Sequence, residues 1–268
     1  IVLFIRRHLS LTRTRSRDML MMVNYHNFEF MTRPVRNERG RFMKYDLLLV
    51  DNDGTLMDFD ASEKIALRLA MEAQGVAYDD ARQARYSEIN RRVWEAYERR
   101  ETTQAALQVD RFRLFLEALG SDADFERMAK DFMLELSRRC DEIEGAYDFV
   151  REATARVPVV VITNGVSFVQ HSRFSLSRMT PFFRAIVISG DEGVAKPDPR
   201  FIDRALARID TVDKSRALIL GDSLTSDIAA ANASGVAGCW FNPHGKRNTT
   251  AFTPDYEIRS LKEALEWL

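Results

Sequence analysis

Residues 45–58 read YDLLLVDNDGTLMD, and this stretch decides the fold. The apolar run from Leu47 to Val50 is unbroken, which is typical of a strand buried on both faces of a parallel sheet. The run ends in two acids, Asp51 and Asp53, and Gly54 then allows the backbone to turn sharply. In open α/β sheets, ligands bind just beyond the carboxyl ends of the strands. The stretch therefore predicts a central strand that delivers two carboxylates to a binding site.

An Asp-x-Asp-Gly sequence on its own is equally typical of a solvated turn. Three further segments argue against that interpretation, because each places a polar side chain where a strand should stop. They are VPVVVITNG with Thr163 and Asn164, GVAKPDP with Lys196, and LILGDSLTSD with Asp222 and Asp227. Together and in this order, the four segments resemble the haloacid dehalogenase (HAD) superfamily of phosphohydrolases. The resemblance spans most of residues 43–242.

Alternating strand-like and helical segments predict an α/β fold with a doubly wound, parallel, Rossmann-like sheet and right-handed crossovers. After the first strand, the apolar runs predict strands at 157–163, 185–189, 217–220 and 238–241. Helices are predicted at 146–155, 199–208, 226–233 and 261–268. The resemblance implies that the first strand is central in the sheet.

Four amphipathic helices are predicted between the first strand and the rest of the sheet. Asp60 and Glu63 form a capping-box pattern at the start of the first helix. Gly75 is a plausible stop for that helix. The resemblance implies that these helices form a cap that closes over the active site. The predicted domains are thus an α/β core (43–59 and 143–268) and an all-helical cap (60–142).

The first 42 residues differ from the rest of the chain. They carry nine arginines, no lysine and three acids, a net charge of +6 against −7 for the remainder. We expect a disordered or loosely packed extension, with translation starting at Met43. A transit peptide is the alternative, but its apolar start, IVLFI, precedes the basic residues instead of alternating with them.

Composition bounds the function further. A chain of 268 residues that is 46% hydrophobic and 29% charged is ordinary for a globular protein with a full core. The two cysteines, Cys140 and Cys239, lie far apart, so neither a disulfide framework nor a zinc site is indicated and a reducing cytoplasm is the expected setting. No apolar run approaches the roughly 20 residues that a membrane span needs. The acidic body argues against a nucleic acid polymer as partner, and we expect a monomer or weak dimer that acts on a small molecule.

The resemblance assigns the chemistry of the first two acids. Asp51 is the expected nucleophile, whose carboxylate attacks phosphorus and forms an aspartyl-phosphate. Asp53 is the expected general acid and base, which protonates the departing alcohol and later activates water. The haloacid dehalogenases of the superfamily lack an acid at this second position. Its presence therefore favours phosphoester chemistry.

A cation is expected at the same place. Asp51 and Asp222 beside a phosphate dianion repel one another, by about 4 kcal/mol for two charges at 4 Å and an effective dielectric near 20. Hard oxygen ligands plus a substrate phosphate are what Mg²⁺ prefers. The predicted ligands are Asp51, the backbone carbonyl of Asp53, and Asp222, with Asp227 acting directly or through water. We expect Lys196 to supply a second positive charge, which faces both Asp51 and the phosphate.

The remaining phosphate contacts are assigned to the second segment. Thr163 would bind the phosphate through its hydroxyl and Asn164 through a backbone N–H, with Gly165 easing close approach. The alternative is an ordinary turn after a strand. His171 and His244 have no second metal-type residue near them in the sequence, so we interpret both as ordinary polar residues.

Finer details resemble one subgroup, the YjjG-like house-cleaning pyrimidine 5′-nucleotidases. They are DNDGTLMDFD, EINRRVWEAYERRE, TNGVSFVQHSRF, GVAKPDPRFID, GDSLTSDI and CWFNPHGK. This resemblance implies dephosphorylation of nucleoside monophosphates, with substrate contacts in the cap from Tyr86, Asn90, Trp94 and Tyr97. The alternatives are a sugar-phosphate or phosphoglycolate phosphatase, a phosphomutase, and a binding-only relative. The last is disfavoured because every charged catalytic position is filled.

Overall fold

The computed structural model describes residues 44–209 and 213–268, in which six strands form one parallel sheet. The strands are β1 (Leu47–Val50), β2 (Val159–Thr163), β3 (Ala185–Ile188), β4 (Ala217–Gly221), β5 (Ala237–Phe241) and β6 (Tyr256–Ile258). Their order is β3-β2-β1-β4-β5-β6. The predicted α/β class, the parallel doubly wound sheet and the interior position of the first strand are confirmed.

The strand order explains where the site lies. Leu48 of β1 pairs with Val159 on one side and Leu218 on the other, and every residue of β1 is buried. The chain builds the sheet outward from β1 in one direction as far as β3, and then returns to add β4 on the opposite side of β1. This reversal is a topological switch point, at which the loops after β1 and β4 leave a crevice.

Nine α-helices accompany the strands within the described residues. They are α1 (Phe59–Glu72), α2 (Asp80–Glu98), α3 (Gln104–Leu119), α4 (Phe125–Ser137), α5 (Ala146–Thr154), α6 (Ser167–Leu176), α7 (Ser189–Glu192), α8 (Pro199–Leu206) and α9 (Ala229–Ser234). Short 3₁₀ segments cover Thr180–Phe182, Lys214–Arg216 and Leu261–Glu266, and a π-helical turn covers Leu224–Ile228. No helix among these residues is both long and apolar enough to cross a membrane.

The sheet is covered on both faces. Side chains of β1 alternate between the two faces, as the pleat requires. Leu48 and Val50 belong to an apolar cluster that includes α5. Leu47 and Leu49 belong to a second cluster that includes α8 and α9. Two apolar layers thus enclose the strand that carries the acids.

Helices α1–α4, hereafter the four-helix module, have a third apolar cluster of their own. Its centre is aromatic, with Tyr86 lying 5.3–5.7 Å from the rings of Phe112, Phe115 and Phe132. Val169 of α6 also belongs to this cluster, and Val166 packs against it. The four inserted helices are present where the sequence predicts them, and the division of the chain into a core and a cap domain stays a prediction.

Several local predictions differ from the structure. The N-cap of α1 is Asp58, which accepts a hydrogen bond from the Ala61 amide at 2.9 Å, and not Asp60. Helix α6 and strand β6 were not predicted at all, and the predicted last helix, 261–268, is the 3₁₀ segment Leu261–Glu266. The predicted extension, 1–42, and the predicted start at Met43 lie outside the described residues.

Candidate active site

Three carboxylates meet at the switch point. Asp51 follows β1, whereas Asp222 and Asp227 follow β4, and oxygens of all three lie within 4.8 Å of one another. Asp51 and Asp227 are buried, and Asp222 is half-buried. The sequence predicted this convergence, because strands that end in acids at the same edge of a sheet bring those acids together.

Two glycines make the close approach possible. Gly54 has φ +86°, and a Cβ at its position would lie 2.6 Å from Asp222 Oδ2. A Cβ at Gly221 would lie 2.2 Å from the carboxyl group of Asp227. Both distances are shorter than any normal contact, so a side chain at either position would displace an acid of the cluster.

Lys196 is buried between two of these acids. Its Nζ donates hydrogen bonds to Asp51 Oδ1 at 2.6 Å, to Asp227 Oδ1 at 2.7 Å and to the Ile162 carbonyl at 2.8 Å. An ammonium group has three N–H donors, and all three are used here. A direct contact between Lys196 and phosphate therefore requires that one of these acceptors is released. In this structure Lys196 is therefore the counter-charge of Asp51 and Asp227.

The electrostatics of the cluster favour an added cation. Burial raises the pKa of Asp51, although Lys196 pulls it down. Burial also raises the pKa of Asp222 well above its usual range, and the charges of Asp51 and Asp227 raise it further. Burial alone would lower the pKa of Lys196, but the two facing carboxylates raise it by more, so the lysine stays charged. One ammonium group among three carboxylates leaves negative charge uncompensated.

The donor set fits a hard divalent cation. Carboxylate oxygens that converge from two loops are the ligands that Mg²⁺ prefers, and no His or Cys belongs to the cluster found among the described residues. Asp51, Asp222 and Asp227 are the residues that would hold it. The carboxylate of Asp53 lies outside this group, and a contribution of its backbone carbonyl stays a prediction.

Asp53 is anchored by side chains of α6. Gln170 Nε2 donates to Asp53 Oδ2 at 2.6 Å, and the guanidinium of Arg173 forms an ion pair with Oδ1. Asn52 Nδ2 donates to Oδ1 at 3.2 Å and to Gln170 Oε1 at 3.1 Å. Arg173 is fully buried and also donates to the Arg139 carbonyl at 3.0 Å. The second acid is thus held in place by residues that the sequence analysis did not select.

The predicted phosphate-binding residues lie beside the cluster. Thr163 is buried at the end of β2, and its hydroxyl accepts a hydrogen bond from the Gly165 amide at 3.2 Å. The side chain of Asn164 bonds both backbone groups of Lys196, at 2.8 Å each. Asn164 therefore fixes the loop that carries the lysine.

A cavity of about 210 Å³ opens above the acids and reaches into the four-helix module. The acids Asp51, Asp53, Asp222 and Asp227 line it, together with Lys196, Thr163 and Asn164. The seven residues predicted from the strand-end segments thus share one cavity. Part of the opposite wall comes from α2, α3 and α4, through Asn90, Trp94, Glu98, Arg111, Met133 and Leu136.

The four cap residues predicted to contact substrate separate into two pairs. Asn90 and Trp94 line the cavity, and Tyr86 and Tyr97 do not. Tyr86 is fully buried in the aromatic centre of the four-helix module. Tyr97 packs edge-on against Trp94, with ring centroids 5.8 Å apart. Polar and aromatic residues are mixed along α2. The sequence alone therefore does not show which side of this helix faces the interior of the module and which side faces the cavity.

Sequence reasoning missed other polar residues at the cavity. Gln170, Arg173, Arg111 and Glu98 line it, and Gln104 of α3 donates to the carbonyls of Asn164 and Gly165 at 3.2 Å each. The available signal was a pair of polar residues, Gln170 and Arg173, on the buried side of α6 beside Val169 and Phe174. His171 pairs with Asp191 at 2.8 Å on the surface, and His244 is exposed, so neither belongs to the cavity lining.

Known proteins resemble this chain over most of its length. A family model for haloacid dehalogenase-like hydrolases matches residues 45–235. Pyrimidine 5′-nucleotidase PynA of Streptococcus pneumoniae is 32% identical over 227 residues, which cover 84% of this chain and 96% of PynA. Pyrimidine 5′-nucleotidase YjjG of Escherichia coli is 29% identical over 224 residues, 82% of this chain and 96% of YjjG. The crystal structure of the HAD-hydrolase YfnB of Bacillus subtilis, bound to magnesium, matches with a TM-score of 0.79 and 34% identity over 83% of this chain and 98% of YfnB.

Proposed function

Because the chain belongs to the haloacid dehalogenase-like hydrolase family, we propose that this enzyme is a Mg²⁺-dependent phosphatase of nucleoside 5′-monophosphates that prefers pyrimidine nucleotides. One observation carries the proposal. Asp51, Asp222 and Asp227 converge within 4.8 Å at the switch point, in a cavity that Asp53 and Lys196 also line. PynA and YjjG are pyrimidine 5′-nucleotidases, and this activity of the two relatives supports the substrate class.

Asp51 is the proposed nucleophile. A carboxylate oxygen of Asp51 attacks phosphorus, an aspartyl-phosphate forms, and the bond between phosphorus and the ribose 5′-oxygen breaks. The hydroxyl of Thr55 donates to Asp51 Oδ2 at 3.2 Å and Lys196 donates to Oδ1, so both oxygens have a fixed position before the reaction. A positioned nucleophile loses little entropy on the way to the transition state.

Mg²⁺ is the proposed cofactor. Asp51, Asp222 and Asp227 would hold it, and when bound it supplies positive charge against the phosphate and the acid cluster. The magnesium-bound structure of YfnB supports this choice of metal. Lys196 adds charge from within the protein, and Thr163 and the backbone N–H of Asn164 are the proposed donors to the phosphate.

Asp53 is the proposed general acid and base. In its protonated form, Asp53 gives its proton to the 5′-oxygen of the leaving nucleoside. The carboxylate that remains takes a proton in the second step from the water that attacks the aspartyl-phosphate. That attack restores the carboxylate of Asp51 and releases inorganic phosphate. Gln170 and Arg173 position Asp53 for both transfers.

The four-helix module is the proposed cap, and its wall of the cavity selects the leaving group. Trp94 and the apolar side chains of α4 offer surfaces for a planar base, and Asn90 offers a hydrogen-bonding group. The magnesium-bound structure of YfnB reveals interdomain movement, which supports a cap that opens and closes.

Because Cys140 and Cys239 are both free thiols, we also place the enzyme in the cytoplasm.

A panel of phosphate esters tests the proposal. We expect UMP, dUMP and dTMP to be hydrolysed with kcat/KM about 10- to 100-fold above GMP, phosphoglycolate and glucose 6-phosphate, since a pocket of this kind separates similar groups by roughly 1–3 kcal/mol. Removal of divalent metal with EDTA should abolish the activity, and Mg²⁺ in excess should restore it.

Two results would contradict the proposal at different levels. If phosphoglycolate or a hexose phosphate is preferred by tenfold or more, the nucleotidase assignment is wrong and the phosphatase assignment survives. If Asp51→Asn keeps activity within tenfold of the parent, which is about 1.4 kcal/mol of barrier, the assignment of the nucleophile is wrong. The side chains of Asp and Asn are nearly isosteric, so we expect this variant to fold like the parent. A loss of activity in a folded variant can then be assigned to the chemistry of residue 51.

A further inference from the structure

Arg111 of α3 is a buried cation whose donors are largely unused. Only 2% of the residue is exposed. A guanidinium carries five N–H donors, and the described residues provide partners for two, namely Asn90 Oδ1 at 3.1 Å and the Met133 sulfur at 3.2 Å. Its Nε has no partner among the described residues. A thioether is a weak acceptor, so the Asn90 oxygen is the one strong acceptor found for Arg111 in the described part of the chain, fewer than a buried guanidinium normally has.

The guanidinium is nevertheless fixed in place. Its Cζ lies 4.8 Å from the centre of the Phe132 ring and 5.1 Å from that of Phe112. The partner amide, Asn90, is held by a hydrogen bond from its Nδ2 to Glu63 Oε1 at 2.7 Å. Ser87 donates to the other oxygen of Glu63 at 3.1 Å. This series of hydrogen bonds, from Ser87 through Glu63 and Asn90 to Arg111, therefore sets the orientation of the guanidinium.

Arg111 lines the same cavity as the catalytic acids. Asp51, Lys196 and Arg111 all line this cavity, and its apolar lining comes from Phe59, Trp94, Met133, Leu136 and Val169 among others. A ligand whose phosphate lies at Asp51 would thus share the cavity with apolar side chains and a buried cation. A planar ring with a polar oxygen on its edge matches both of these features.

The chemistry of the ligand group follows from the charges around Arg111. Glu63 is a buried acid connected to Arg111 through one amide, and above its raised pKa of about 7 its negative charge offsets that of the guanidinium. A second carboxylate would add uncompensated negative charge to a buried site. A neutral carbonyl oxygen can accept from the unused N–H groups without this cost.

We infer that Arg111 is a specificity-determining residue, which donates a hydrogen bond to a ring carbonyl of the pyrimidine base, with Asn90 and Glu63 as positioning residues. The inference rests on the proposed nucleotidase function. It deepens that function by naming the group that recognises the base.

The test compares UMP with ribose 5-phosphate, which has the same sugar and phosphate but no base. In the parent enzyme, kcat/KM for UMP should exceed that for ribose 5-phosphate by about 10- to 100-fold. Arg111→Met should lower kcat/KM for UMP by at least about tenfold, the loss expected for a hydrogen bond to a charged donor. The same variant should lower kcat/KM for ribose 5-phosphate by no more than about threefold, because no base is present to use the donor.

Two further variants keep the result interpretable. Arg113→Met changes an arginine on the same helix whose side chain is 40% exposed and pairs with Glu117, and we expect it to leave the ratio of the two substrates unchanged. Arg111→Lys keeps the buried charge but loses the planar fork. It should also reduce the preference for UMP, and it replaces Arg111→Met if that variant does not fold.

The outcomes separate the inference from the function on which it rests. If the parent enzyme shows no preference for UMP over ribose 5-phosphate, the proposed substrate class is wrong. If the parent shows the preference and both Arg111 variants retain it, the inference alone is wrong. An equal fall for both substrates would indicate a structural role. A larger loss for phosphoglycolate than for UMP would show that Arg111 pairs with a carboxylate, and either result overturns the inference.

Discussion

At the scale of single residues, Glu63 fits the sequence pattern of a capping box, but in the structure it is a buried hydrogen-bond acceptor. Its spacing from Asp60 predicts a capping box, but α1 is capped by Asp58, and Glu63 is 4% exposed inside the four-helix module. There it accepts hydrogen bonds from Ser87 and Asn90. Burial raises the pKa of Glu63 from 4.5 to about 7, although the nearby Arg111 lowers it.

This raised pKa predicts a stability that depends on pH. Below pH 4.5 the acid is protonated in both the folded and the unfolded state, and it has no effect. Between pH 4.5 and 7 the folded state binds more protons than the unfolded state, so the free energy of unfolding falls as the pH rises. The full loss is about 3 kcal/mol above pH 7, at roughly 1.4 kcal/mol for each unit of difference between the two pKa values.

Glu63→Gln removes this titration and keeps a neutral side chain of the same shape. Urea unfolding at pH 5 and pH 8 should show a smaller difference between the two pH values for Glu63→Gln than for the parent, by up to about 3 kcal/mol. Glu88→Gln, at an exposed position of α2, is the control and should keep the difference that the parent shows. An equal difference in the parent and in Glu63→Gln would mean that Glu63 is ionised in the folded state at pH 5.

At the scale of elements, α6 is the helix that the sequence concealed. An amphipathic helix is recognised by apolar residues on one face, but the buried side of α6 carries Gln170 and Arg173 between Val169 and Phe174. These polar residues break the hydrophobic pattern because their partner, Asp53, belongs to a distant loop. The hydrophobic pattern did not predict α6 because Gln170 and Arg173, which hold Asp53, take the place of apolar residues on its buried side.

The start of α3 connects the four-helix module to the core. Gln104 Nε2 donates to the carbonyls of Asn164 and Gly165, in the loop proposed to bind phosphate, at 3.2 Å each. Nearby, Arg100 pairs with Asp198 of the core at 2.6 Å. The proposed cap thus contacts the phosphate loop directly, and loss of this contact should affect turnover more than stability.

Gln104→Ala tests this connection. Each net hydrogen bond contributes about 1 kcal/mol, so we expect kcat/KM for UMP to fall by roughly fivefold or more, with a shift of only a few degrees in Tm. Gln108→Ala is the matched control, since Gln108 lies one turn further along the same helix. Within the described residues its side chain donates only to the Gln104 carbonyl of that helix, at 3.0 Å. Equal effects of the two substitutions on kcat/KM would show that the contact with the phosphate loop has no role in turnover.

At the scale of the whole molecule, the sheet was the most predictable part. Unbroken apolar runs that end in Asp51, Thr163 and Asp222 give both the strands and the edge at which the site lies. The short strand β6 could not be predicted, because three residues at the edge of a sheet leave little pattern. The long-range partners of the site were also beyond prediction. A buried arginine such as Arg111 or Arg173 contradicts the usual exposed position of arginine, and only the tertiary contacts explain it.

The proposal that Asp51 carries the phosphoryl group can be tested by trapping the intermediate. In Asp53→Asn, p-nitrophenyl phosphate releases p-nitrophenolate, a stable anion whose departure needs no proton, whereas hydrolysis of the aspartyl-phosphate still needs a base. The intermediate should therefore accumulate in the presence of Mg²⁺. We expect a burst that approaches one equivalent of p-nitrophenol for each active site, followed by slow turnover.

Sodium borohydride added during that slow phase reduces an aspartyl-phosphate to homoserine, and mass spectrometry of the peptide that contains residue 51 then locates it. We expect homoserine at position 51 in Asp53→Asn, and none in the double variant Asp51→Asn/Asp53→Asn. Homoserine at another aspartate, or none at position 51 while the burst is observed, would show that Asp51 is not the nucleophile.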